Sequence, residues 1–195
     1  DDGKIYVVKL QNNRLGTKVL VNEYVACWFG QYMGLCFPPS DVIEISEQVL
    51  SKNPRFRGGR ITPKIHFASQ YVHKNRYVSK RDLQKAVNKE AMAGVMLFDN
   101  MFHNTDRTKN RKNLLVCREN HCDVLYAIDN SHLFVRGRWS IRSLEKLAGR
   151  ITVNQWRAYG WLLTHFLVIE DFTPYVAKVK KIRDEELVLL VSGIP

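Results

Sequence analysis

No Cys-x-x-Cys pair occurs among the four cysteines, Cys27, Cys36, Cys117 and Cys122, and their spacing suggests no even framework. A disulfide scaffold is therefore not expected, and a reducing compartment fits. His103, Cys117, His121 and Cys122 lie near one another in the chain, but their intervals match no zinc-ligand pattern, so ordinary structural positions are expected for them. No stretch approaches the ~20 consecutive apolar residues of a membrane span. The opening Asp1-Asp2-Gly3-Lys4 runs straight into a strand-like segment and does not read as a secretory leader, so the expected address is the cytoplasm. Internal repeats and low-complexity tracts are missing as well. Acidic residues are scarce, 19 Asp+Glu against 30 Lys+Arg, for a net charge of +11. The shortage is sharpest between Ser51 and Glu90, where eleven basic residues face only Asp82 and Glu90, a net of +9. Such a segment suits RNA or an acidic protein partner, and it equally suits a solvated face; the sequence leaves both open.

What remains is an ordinary globular composition, 45% hydrophobic and 25% charged, long enough for one or two small domains. Tyr6-Val7-Val8-Lys9 reads as the end of a strand, followed by a polar turn over 11–18. Val21, Val25, Trp28, Phe29 and Tyr32 recur at intervals of three and four, predicting an amphipathic helix over 19–33 that stops at Gly34, with Glu23 off the apolar stripe. Strands are expected at 42–45 and 65–72. A long helix is expected from a Ser79 N-cap to about Phe102. A polar loop over 103–112 then leads to strands at 114–116 and 124–128, paired as a hairpin. Beyond it the chain reads as helical, with starts at Ser140, at Thr152 (through Trp156), at Thr173-Pro174 and near Asp184.

One constellation carries chemistry. Phosphoryl transfer needs a cation for the nucleotide phosphates, oxygen ligands for magnesium and a carboxylate that takes the acceptor's proton. Lys9 closes a strand, and Glu23 on the next helix can pair with it. Asn113 stands at the root of one hairpin strand and Asp129 just beyond the tip of its partner; strands ~5 Å apart let two such donors meet on one hard cation. Asp106, earlier in the polar loop, can face the same spot as base.

The set Asp106-Arg107, Asn113-Leu114-Leu115 and Ile128-Asp129-x-x-His132-x-Phe134 resembles the catalytic and metal-binding loops of the kinase-like branch that holds HipA-type and phosphoinositide kinases. Tyr6-Val7-Val8-Lys9, Leu20-Val21-Asn22-Glu23 and Gly34-Leu35-Cys36-Phe37-Pro38 are similar to the lysine strand, glutamate helix and following turn of HipA-like proteins. The resemblance runs over nearly the whole chain. It implies an α+β, two-lobed protein-kinase-like fold, with a strand-rich lobe over 1–78 and a helical lobe carrying the catalytic hairpin over 79–195. It implies ATP with Mg2+ in the cleft: Asp106 as catalytic base, Asn113 and Asp129 on the metal, Lys9 on the phosphates, and Glu23 positioning Lys9. The adenine-binding hinge is placed by chain order at Ser69, Gln70 and Tyr71. Arg107 and His132 are expected to support the loops, His132 by hydrogen-bonding the loop backbone.

This chain departs from the family pattern in three ways. The interval from Asp106 to Asn113 is two residues longer than usual, so Asn110 competes for the amide role; Asn113 is preferred because it directly precedes a strand. No glycine-rich loop precedes Lys9, so either a first strand is missing or the 11–18 turn, with Gly16, covers the phosphates. The extra N-terminal subdomain of HipA-like toxins has no counterpart here. The expected activity is phosphorylation of a protein Ser or Thr, on a translation-related substrate as with HipA-like toxins. Two other readings stand beside it. One is a kinase-like shell that binds RNA or an acidic partner with little catalysis. The other is a small-molecule or lipid kinase whose acceptor is gripped by Arg107, Lys109, Arg111 and Lys112.

Overall fold

The computed structural model describes residues 3–13, 16–54, 61, 62, 64–109, 111–135, 137–150 and 158–195. Tyr6–Lys9 forms β1 and Lys18–Met33 forms α1. Ser40–Glu44 (β2) and the short α2, Glu47–Lys52, follow, then β3 at Ile65–Gln70. The three strands make an antiparallel sheet in the order β1-β3-β2, with Val7 opposite Ser69 and Ser40 on the other side of Ser69. A two-residue strand, β4 (Arg76–Tyr77), opens a second antiparallel sheet, β4-β5-β6, with β5 at Leu114–Glu119 and β6 at Cys122–Ala127.

Between β4 and β5 the expected long helix is broken. It consists of α3 (Lys80–Lys85), a 3-10 turn (Lys89–Ala91) and α4 (Met92–Met101). Ser79 does cap α3, in a reciprocal box with Asp82. The break serves β6, the edge strand of its sheet. Val87 N donates to Asp123 O at 3.0 Å, and the Asn88 side chain bonds Leu125 through both its amide nitrogen and its oxygen, at 3.0 and 2.8 Å. Backbone groups that the sheet leaves unpaired are thus satisfied by a chain that has left the helix.

Asp106–Lys109 is a single helical turn (α5), joined to β5 by a 3-10 turn at Arg111–Asn113. Four helices follow among the described residues: α6 (Ile141–Glu145), α7 (Ala158–His165), α8 (Ile169–Lys180) and α9 (Asp184–Ser192). Ser140 caps α6 as expected. The start expected at Thr152 and Trp156 lies outside the described residues. Pro174 sits inside α8 rather than at its first turn; the helix begins at Ile169, where Asp171 Oδ2 accepts from Val168 N at 2.8 Å. A sequence rule that reads Thr-Pro as a start misses this carboxylate cap.

One apolar core joins Val25, Phe29 and Met33 of α1 to Phe98 of α4, Val116 of β5, Leu125 of β6 and Tyr159 of α7. The buried residues of α1 are Val19, Asn22, Glu23, Val25, Ala26, Phe29, Gly30 and Met33. They include Val25 and Phe29 of the expected stripe, whose Val21, Trp28 and Tyr32 pack against the same core half-buried, and they widen it to take in Asn22 and Glu23, the latter 4% exposed. Gly34 ends α1 in the left-handed region at φ 69°, and Leu35 N closes the cap on Gly30 O at 2.9 Å.

Candidate active site

Lys9 leaves the end of β1 and reaches three oxygens. Its ammonium donates to Glu23 Oε1, to Asp129 Oδ1 at 2.6 Å and to Ser131 Oγ at 2.7 Å. Glu23 also accepts the Asn130 backbone amide at 2.9 Å, so one carboxylate from α1 fixes both the lysine and the loop after β6. Burial works to lower the Lys9 pKa, but the two carboxylates outweigh it and hold the ammonium above its ordinary value. At Asp129 burial pushes the carboxyl up, yet Lys9 and the bonds from Ser131 hold it well below the usual carboxylate range. Asp129 adopts φ 61°, a left-handed conformation that Asp tolerates better than most residues, which turns its side chain back toward Lys9. Its second oxygen, Oδ2, has no hydrogen-bond partner among the described residues.

Asp106 opens α5, and Asn113 closes the turn before β5. Asn113 Nδ2 donates to Asp106 Oδ2 at 2.7 Å, which ties the expected base to the expected amide ligand. Beneath them lies Arg107, fully buried. Its guanidinium donates to Asp99 Oδ2 at 2.8 Å, to Asn113 O at 3.3 Å, to Ile128 O at 2.6 Å and to Asn130 Oδ1 at 2.6 Å. One cation therefore gathers the loop ahead of β5 and the loop after β6. Asp99, in the last turn of α4, also accepts from Asn104 Nδ2 at 3.0 Å and from the Tyr159 hydroxyl. Burial works against the charged guanidinium, but Asp99 outweighs it and raises the Arg107 pKa further.

A cavity of about 440 Å³ opens beside this assembly. It is lined by Lys9, Glu23, Asn113 and Asp129 and also by Ser69, Gln70 and Tyr71, so the residues expected on metal, phosphates and hinge share one space. Asp106 is not on the lining; it stands one hydrogen bond behind Asn113. Within the hinge, Gln70 N donates to Pro39 O and Tyr71 N to Ile5 O, both at 2.8 Å, so these two amides are already occupied. Val72 also lines the cavity, and its amide has no partner among the described residues. Asn110, the rival amide, lies outside the described residues. The described part of the 11–18 turn does not line this cavity; Gln11 and Thr17 line a separate one against Val21, Tyr24 and His66.

Sequence reasoning missed Asn22, Asp99, Asn130 and Ser131. Asn22 Nδ2 donates to Ser131 O at 2.7 Å, one turn of the buried face before Ala26, and a polar residue in that face was the signal available. Asn130 bonds both Arg107 and Glu23, but nothing in its neighbourhood of the sequence marks it. Among the described residues no group of three or more His, Cys, Asp or Glu forms a metal site. A magnesium–nucleotide pair needs less than that, because one or two protein oxygens suffice when phosphates and water complete the shell. The ionised Asp129 carboxylate, whose Oδ2 has no partner among the described residues, and the Asn113 amide oxygen are donors of that kind. Among the described residues no helix is long and apolar enough to cross a membrane.

An α+β chain of two small antiparallel sheets and several helices, with a strand lysine, a helical glutamate and a carboxylate after a hairpin meeting at one cavity, is of the kinase-like class. The chain belongs to the HipA-like kinase family: a model of that family matches residues 1–146. No curated protein matches it.

Proposed function

We propose that this protein transfers the γ-phosphoryl group of ATP, with magnesium, to a Ser or Thr hydroxyl of a protein. The observation that carries the reading is the Lys9–Glu23–Asp129 cluster facing a cavity shared with Asn113, with Asp106 bonded to Asn113. The first sheet draws only on residues 6–70 and the second only on 76–127, which supports two lobes dividing near residue 78 with the cavity between them. Magnesium-bound ATP supplies the phosphoryl group and the cation that neutralises charge developing on it. Asn113 and Asp129 hold that cation, and Lys9 moves from Asp129 to the phosphates while Glu23 keeps its direction. The adenine edge meets the Val72 amide and the backbone of Ser69, Gln70 and Tyr71. Asp106 accepts the acceptor's hydroxyl proton as the oxygen attacks.

Autophosphorylation and ADP release by the full chain, with and without magnesium, test the reading. Asp106→Asn is expected to lower transfer by about 10²–10⁴-fold, the range general-base removal gives. Transfer at the wild-type rate by that variant sinks the proposal. Phosphosite mapping on a lysate treated with wild type and with Asp106→Asn identifies the acceptor, and phospholipid in place of phospho-Ser or phospho-Thr overturns the protein-kinase part alone.

A further inference from the structure

Three residues after Asp129, His132 makes none of the backbone bonds expected of it. Its Nδ1 is buried and has no hydrogen-bond partner among the described residues, although the side chain as a whole is 35% exposed. Leaving a buried polar nitrogen unpaired is destabilising, so its direction calls for a reason. Nδ1 faces Asp106 Oδ2 at 3.8 Å, about 0.6 Å beyond the usual hydrogen-bonding range. The loop around it is firmly set. Asn22 holds Ser131 O at 2.7 Å, and a Cβ on Gly137, which adopts φ 69°, would lie 2.2 Å from that same oxygen. The imidazole is therefore delivered to the base from a fixed frame, and the gap lies between it and the Asp106 side chain.

We propose that His132 is the positioning residue of the base: in the reacting state its Nδ1–H donates to Asp106 Oδ2, opposite the bond from Asn113. The proposal rests on the phosphotransfer reading above. A carboxylate oxygen has two lone-pair sites, and Asn113 Nδ2 takes one of those on Oδ2 at 2.7 Å. A second donor there clamps Oδ2 and leaves Oδ1 as the oxygen that meets the acceptor hydroxyl. Hydrogen bonds to a catalytic base are commonly long in the free enzyme and tighten with substrate, which is the closure needed here. No proton passes between His132 and Asp106; the imidazole acts by direction. Of the other charged groups nearby, Lys9 holds Glu23 and Asp129, and Arg107 is matched by Asp99.

The test uses side chains that place a donor differently. An Asn amide sits where Nδ1 does, a Gln amide sits nearer Nε2, and Phe has no donor. In magnesium-ATP turnover by the full chain, His132→Phe and His132→Gln are expected to lower kcat about 10–100-fold with KM for ATP unchanged, and His132→Asn to restore kcat to within about threefold. Wild-type kcat in His132→Phe, or a His132→Asn as slow as His132→Phe, overturns the inference while Asp106→Asn still reports on the reading beneath it. Absence of turnover in the wild type overturns both. If the Phe variant does not fold, long-range 1H–15N correlation on the wild-type protein decides: a proton on Nδ1 supports the clamp, and the Nε2–H tautomer overturns it.

Discussion

Two acid–base clusters lie a few residues apart and are built in opposite ways. Around Arg107 every charged atom is enclosed: the side chains of Arg107 and Asp99 are 0% and 1% exposed, and the guanidinium ends on one carboxylate, two carbonyls and an amide oxygen. Around Lys9 the cluster opens on a cavity. The Asp129 side chain is 36% exposed and keeps one oxygen without a partner among the described residues, and Lys9 bridges two acids with a single ammonium. A buried charge that is fully matched can only hold its surroundings in place. A partly matched one can exchange its partner for a ligand. Asn130 joins the two, accepting from Arg107 through its side chain and donating to Glu23 through its backbone, so the closed cluster sets the frame in which the open one works.

The contrast breaks first at Arg107. Arg107→Ala strands the Asp99 carboxylate in the core and is expected to cost about 3–5 kcal/mol of stability in urea denaturation, with loss of activity following from loss of fold. Asp129→Asn is the opposite case. Its pair is partly solvated, so stability should change by less than about 1 kcal/mol, while phosphoryl transfer falls about 10²–10³-fold. If both variants lose stability equally, the clusters do not differ in kind.

The open cluster was legible in the sequence, and the closed one only at Arg107, expected as a support for the loops it does hold. Lys9, Glu23, Asp106, Asn113 and Asp129 stand at element ends or next to sharp changes of polarity, where a charged residue has a direction. Asp99 sits in the last turn of an apolar helix, and its partners come from residues 104, 107 and 159, so its meaning arises only from packing. The same cause explains the face of α1. The apolar pattern marks Val21, Val25 and Trp28, which do pack on the core, but it leaves out Asn22 and Glu23, which are buried because they bond the 130–131 loop. The apolar face was legible, and its polar half was not. The break after α3 was hidden for a related reason: Asn88 looks like one more polar helical residue until β6 needs an edge partner.

A smaller change sharpens the comparison. Tyr159→Phe removes one donor to Asp99 and leaves Arg107 and Asn104 in place, so about 1–2 kcal/mol of stability should be lost by thermal or urea unfolding. ATP turnover per folded molecule should be unchanged within about twofold if this cluster acts only as a frame.

The smallest effect is in acid. Although burial alone would raise it, the Asp129 carboxyl in the folded protein lies below its unfolded value of about 3.9 because of Lys9 and Ser131. A group of that kind adds stability in full above the unfolded value and loses it as pH falls toward the folded one. Lys9, raised by the same pair, adds its share below about 10.4 and loses it only at higher pH. The difference in Tm between wild type and Asp129→Asn should therefore stay flat from about pH 5 to 9 and shrink below about pH 4. It should be only a few degrees throughout, because a third of the Asp129 side chain is in water and solvent screens the pair. Melting curves across that range check this, and a gap that widens in acid would mean that Asp129 is held by something other than the lysine.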